Sequence, residues 1–147
     1  GWQVIRNVDG QRYIGTNLGK PVEVEIHGTP GNDLGAFMDG PRIVVHGNVQ
    51  DGCGSTMNNG EIIVHGCAGD ILGMGARGGK ILVRGDAGRR AGMHMKGSLG
   101  KKPVVVIGGT AQDYHRLITL VREKVREHTG VTLELEIEML GFTQDQQ

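Results

Sequence analysis

Ile43-Val44-Val45-His46-Gly47-Asn48-Val49-Gln50-Asp51-Gly52-Cys53-Gly54-Ser55-Thr56-Met57-Asn58-Asn59-Gly60-Glu61-Ile62-Ile63-Val64-His65-Gly66 decides the fold. An aliphatic run closes on His-Gly, a glycine-punctuated turn region follows, and the same kind of run closes on His-Gly again. Working outward, Val24-Glu25-Ile26-His27-Gly28 precedes this stretch and Ile81-Leu82-Val83-Arg84-Gly85 follows it. The closing glycines Gly28, Gly47, Gly66 and Gly85 are 19 residues apart each time. A fifth run, Val104-Val105-Val106-Ile107-Gly108, closes 23 residues after Gly85, which reads as one period plus a four-residue insertion within Lys96–Lys102. Fixed self-similarity at about this length is the signature of stacked coils.

Within each period the punctuation keeps register. Counted from the closing glycine, offset +3 holds Gly31, Gln50, Gly69 and Gly88, and offset +7 holds Gly35, Gly54, Gly73 and Gly92. These positions, with Gly28, Gly47, Gly66 and Gly85, are expected to be structural turns or points of close coil approach. Apolar residues form columns as well: Leu34, Cys53, Leu72 and Ala91 at offset +6, and Met38, Met57, Ala76 and Met95 at offset +10. Strand offsets +15 and +17 supply Ile43/Val45, Ile62/Val64 and Ile81/Val83. The sequence therefore predicts a mainly β fold over residues 1–109: a single-stranded, right-handed β-helix, the hand following that of parallel crossovers. A phosphate-cradling role for the glycines is disfavoured, because no helical pattern follows them to supply donors.

Composition agrees with one repetitive unit. The chain has 147 residues, of which glycine and proline contribute 27 and 4, while aromatics amount to 3%. Aliphatics and methionine must fill the core. Lys+Arg and Asp+Glu balance at 16 each, giving no electrostatic reason to expect nucleic acid or an anionic membrane as partner. No apolar run approaches the ~18 residues of a membrane span, and Gly1-Trp2-Gln3 opens no secretory leader. Cytoplasmic location is the expectation. Cys53 and Cys67 are too few for a disulfide framework or a zinc site and are expected to be small buried hydrophobes.

Offset +16 breaks simple alternation. It should face outward, yet after Glu25 it reads Val44, Ile63, Leu82 and Val105, an apolar stripe that requires a cover or a partner. Residues 110–147 change character. Thr110 is placed to cap an amphipathic helix carrying Tyr114, Leu117, Ile118, Val121 and Val125 and ending at Gly130. Val131–Met139 then alternates as a strand with an acidic row, Glu134, Glu136 and Glu138. This helix–strand tail is expected to cap the coil, with the rival reading that it binds a partner.

His27, His46 and His65 share one offset in three successive coils, so their side chains are expected to form a ladder, with Arg84 as the next rung. Parallel projection and the lack of an acidic residue at that offset argue against a metal centre. Met93-His94-Met95 admits a copper reading, set against core packing of the methionines. His115 and His128 fall on the tail helix, where a bland role is expected. Asp33, Asp39, Asp51, Asp70 and Asp86 sit in turns, where aspartate bonds its own backbone. No Ser/His/Asp arrangement or activated thiol emerges. No catalytic, cofactor-binding or metal-ligating residue is assigned to this chain.

The pattern Gly28-x-x-Gly31-x-x-x-Gly35, repeated from Gly66 and Gly85, with Thr29–Met38 and Val45–Gly52, resembles the glycine-repeat (GXGXG) β-helix domain at the C-terminal end of the glutamate synthase large subunit. The similarity covers about residues 2–112. The same repeat class occurs in one component of formylmethanofuran dehydrogenase, the alternative family. The resemblance implies a non-catalytic structural or assembly component of a glutamate-synthase-like oxidoreductase in glutamate biosynthesis. Flavin-binding synthase and glutamine amidotransferase polypeptides would be its partners, carrying the FMN and the iron–sulfur cluster; self-association is the alternative. Gln50 departs from the family's glycine pattern. Tyr114–Gly141 resembles the final helix–strand of UDP-N-acetylenolpyruvoylglucosamine reductases, particularly at Leu133–Gly141, and this resemblance implies a proton donor at Glu136. Leu135 stands for that family's proline and Glu138 for its arginine, so catalysis there is not expected.

Overall fold

In the computed structural model, residues 1–108 and Thr119 are described; Thr119 is helical and exposed. Six strands form one parallel sheet in sequence order: β1 (Trp2–Asp9), β2 (Glu23–Thr29), β3 (Asp39–His46), β4 (Asn59–Val64), β5 (Lys80–Val83) and β6 (Val104–Ile107). Consecutive parallel strands, each returned by a turn-rich arc, make a β-solenoid. The expected repeat is its pitch, since Val24 pairs with Ile43, Ile43 with Ile62 and Ile62 with Ile81. The tail helix and strand lie outside the described residues.

Alternation on these strands separates two faces. Val24, Ile26, Ile43, Val45, Ile62, Val64, Ile81 and Val83 point inward and join Leu34, Cys53 and Leu72 and Met38, Met57 and Ala76 in one core. Like side chains stack on like, so each coil is a layer of the same narrow interior. Burial holds the Cys53 thiol up to about 12, well above its ordinary range. Cys67 is exposed, correcting its expected burial: it follows a closing glycine, where its backbone N–H bonds Asn48 Oδ1 at 2.8 Å.

The arcs explain the glycine columns. In each coil the backbone alternates in and out of left-handed φ, as at Ile71 (52°), Gly73 (66°) and Gly75 (69°). This alternation turns successive N–H groups in different directions. Gly73 donates to Cys53 in the preceding coil, Ile71 to Arg89 and Gly75 to Met93 in the following one, and Ala76 to Gly73 in its own. The arcs are thereby hydrogen-bonded to both neighbours, which leaves few buried backbone groups unmet. Gly85 illustrates the other requirement: a Cβ there would lie 2.6 Å from Cys67 Sγ and 2.8 Å from Gly66 O.

Side chains reinforce the stack at offset +4. Asn32 Oδ1 accepts from Asp51 N at 3.0 Å, Asp51 Oδ1 from Asp70 N at 2.8 Å, and Asp70 Oδ1 from Arg89 N at 2.8 Å. Asp51 and Asp70 thus bond the next coil rather than their own turn. Asp39 opens β3 instead of lying in a turn, with Lys101 Nζ 3.9 Å from it.

Two further expectations change. β1 adds a coil before the first aliphatic run, pairing at a 21-residue spacing that shifts between Ile5 and Val8. At the other end Ile81 pairs with Val105 and Leu82 with Val106, so the insertion before β6 has five residues, not four. Val105 consequently lies in the inward column, and Val106 replaces it in the outward stripe.

Candidate functional site

The outer sheet face is organised in three columns. Glu23, Arg42, Glu61 and Lys80 are paired neighbours along one side. Arg42 reaches Glu61 at 3.6 Å and Glu23 at 4.0 Å, and its guanidinium lies 5.4 Å from the centre of the Trp2 ring. The middle column runs Glu25, Val44, Ile63, Leu82, Val106. Ile63 and Leu82 are only 2% and 5% exposed, while Val44 is half-buried. The tail that the sequence assigns to this face lies outside the described residues.

The third column is the imidazole ladder. His27 pairs with His46, and their ring centroids are 4.6 Å apart with planes inclined by 19°. His46 and His65 stack at 5.0 Å and 4°. Burial, then the neighbouring His46 and Arg84, hold His65 below the ordinary imidazole pKa. Solvent loss and like charge both disfavour its cation.

Glu25 is the residue missing from the offset argument. Strand alternation puts positions 25 and 27 on one face, and in-register pairing brings His46 to the same place. Glu25 Oε1 lies 2.8 Å from His46 Nε2 and 3.2 Å from His27 Nε2. An ionised carboxylate only accepts, so the His46 ring N–H donates to it. One oxygen therefore serves two imidazoles from adjacent coils. The i, i+2 relation of Glu25 and His27 is the signal in the sequence that points to this cluster.

Other candidates are dispersed. Met95 packs against the core while His94, left-handed at φ 58°, is exposed beside Thr56, Arg77, Lys96 and Ser98 in a groove of about 390 Å³. The Met93-His94-Met95 triplet therefore does not converge on a copper site. His115, His128 and Glu136 lie outside the described residues. Among the described residues, no helix is long and apolar enough to cross a membrane.

A family model described as GXGXG motif matches residues 4–119. "Uncharacterized protein MJ1350" of Methanocaldococcus jannaschii is 54% identical over 112 residues, covering 76% of this chain and 43% of that protein. A 36-residue stretch is 61% identical to UDP-N-acetylenolpyruvoylglucosamine reductase of Streptococcus pneumoniae (strain CGSP14), covering 24% of this chain and 12% of that enzyme. The same enzyme of strain Hungary19A-6 is 58% identical over a stretch of equal length. This chain thus spans less than half of each relative. No solved structure matches it.

Proposed function

The chain belongs to the GXGXG motif family, and from that premise we propose that it is a non-catalytic structural and assembly component of a glutamate-synthase-like oxidoreductase. One observation carries the reading. All strands of the described unit pair in sequence order into a single continuous stack, whose arcs are bonded to the coils on both sides. Such an object transmits position rather than chemistry: it holds one surface at a fixed distance from another.

The redox groups of such an assembly belong to other polypeptides. An iron–sulfur cluster takes four thiolates as a rule. This chain has two cysteines, and Cys53 is sealed in the core with its thiol protonated. The donor set does not fit. In this reading residues 1–109 dock onto a flavin-binding synthase polypeptide and a glutamine amidotransferase polypeptide in the cytoplasm, and residues 110–147 are an appended segment.

Affinity capture of the tagged chain from a native lysate, with mass spectrometry of what is retained, tests the assignment. Recovery of the synthase and amidotransferase polypeptides supports it. Recovery of molybdenum or tungsten dehydrogenase polypeptides replaces it with a formylmethanofuran-dehydrogenase-type role. If no member of either assembly is retained and the mass grows with concentration, the protein is a self-associating module.

A further inference from the structure

We propose that Glu25, His27 and His46 form a binding site for a divalent transition-metal ion of the zinc type, on the outer face of β2 and β3. Each of the three residues brings one donor atom to within 4.8 Å of the other two. Two of the separations are 2.8 and 3.2 Å. Ligands bound to one zinc at ~2.0–2.1 Å in tetrahedral geometry sit ~3.3 Å from each other. His27 Nε2 is already at that separation from the carboxylate oxygen, while His46 Nε2 is nearer, at 2.8 Å, because it donates a hydrogen bond to that oxygen; the ion takes the place of this bond, with the His46 ring hydrogen carried on Nδ1 instead. Two imidazoles and one carboxylate are also a donor set suited to such ions.

The remaining adjustment is between the rings. Stacked imidazoles send their in-plane lone pairs nearly parallel, so the two nitrogens must tilt toward a common point. Their planes are already inclined by 19°, and the side chains of His27, His46 and Glu25 are 34%, 39% and 31% exposed. His27, at the end of the stack, and Glu25 make the adjustment, since His46 is held between the rings of His27 and His65 and the strands beneath are fixed by the paired register. Glu25 Oε1 marks the side on which the ion sits. Solvent completes the coordination on the open side. The site is independent of the assembly role and stands if that role fails.

The experiment uses the untagged full chain carrying Cys67→Ser, so that the exposed thiol does not compete for metal. Zinc binding is measured by calorimetry, and cobalt(II) substitution by visible spectroscopy. One zinc per chain is expected, with cobalt bands of nitrogen–oxygen ligation. Glu25→Gln and His46→Gln are each expected to weaken affinity by about tenfold or more, with unchanged circular dichroism. His94→Gln, remote in the groove, should leave affinity as it is. Absence of saturable binding, affinity indifferent to Glu25→Gln and His46→Gln, or an equal loss in His94→Gln overturns the site.

Discussion

His65 lies ring upon ring against His46, with centroids 5.0 Å apart and planes only 4° from parallel. A proton on one ring is thus felt by the other, and Arg84 adds charge from the next coil. Because burial and these neighbours lower the folded pKa of His65 from 6.5, the unfolded chain binds its proton at the higher pH. Between the two values the unfolded state holds more protons, so stability rises with pH there. Melting temperature is expected to fall as pH drops through about 6.5, and His65→Gln should flatten that slope. Parallel wild-type and variant profiles from about pH 8 to about pH 5, a range that brackets histidine titration, would remove His65 as its source.

Gly73 adopts φ +66°, and a Cβ there would stand 3.0 Å from Val105 Cγ2 and 3.3 Å from Ile81 Cδ1. Gly73→Val combines left-handed strain with overpacking and should cost roughly 2–4 kcal/mol. Chemical denaturation measures it. Unchanged stability would mean that this arc relaxes away from the described path.

At offset +4 the bond matters, not the charge. Asp70→Ala strips Arg89 N of its acceptor and should cost about 0.5–1.5 kcal/mol. Asp70→Asn should be nearly neutral, as Asn32 does the same for Asp51. Equal losses in the two variants would contradict the ladder.

The two thiols should differ sharply toward a thiol reagent. Cys67 is exposed and is expected to react in the native protein. Cys53, buried with its thiol at about 12, should react only on unfolding. Titration before and after denaturant distinguishes one equivalent from two.

Much of this fold is written in the period. Val24, Ile43, Ile62 and Ile81 align from sequence because a single-layer coil forces identical positions to stack. β1 is hidden, since it places polar Gln3 opposite Val24 and has no closing glycine at the common spacing. The register of β6 escapes the repeat because Gly108 looks equivalent to Gly85, while pairing of Val83 with Ile107 shows that equivalence to be one residue off. The left-handed residues flanking each +7 glycine are also illegible. Ile71, Phe37 and Thr56 are poor choices for positive φ, and each is held there by an N–H that donates to the following coil, at Arg89, Ser55 and Met74 respectively. For the site, the histidine column is visible at one offset. Its carboxylate belongs to a different offset of the same face, and only alternation joins the two.

The acceptor column begins with Asn32, continues through Asp51 and Asp70, and reaches Arg89, whose side chain carries no acceptor at all. The imidazole column likewise changes to a guanidinium at Arg84. The two changes lie on either side of Gly85, and the last rungs before them, His65 and Asp70, lie on either side of Gly66. The stack is therefore directional: a coil inserted between these rungs would find matching chemistry above and below, whereas one added beyond Arg89 would meet neither pattern.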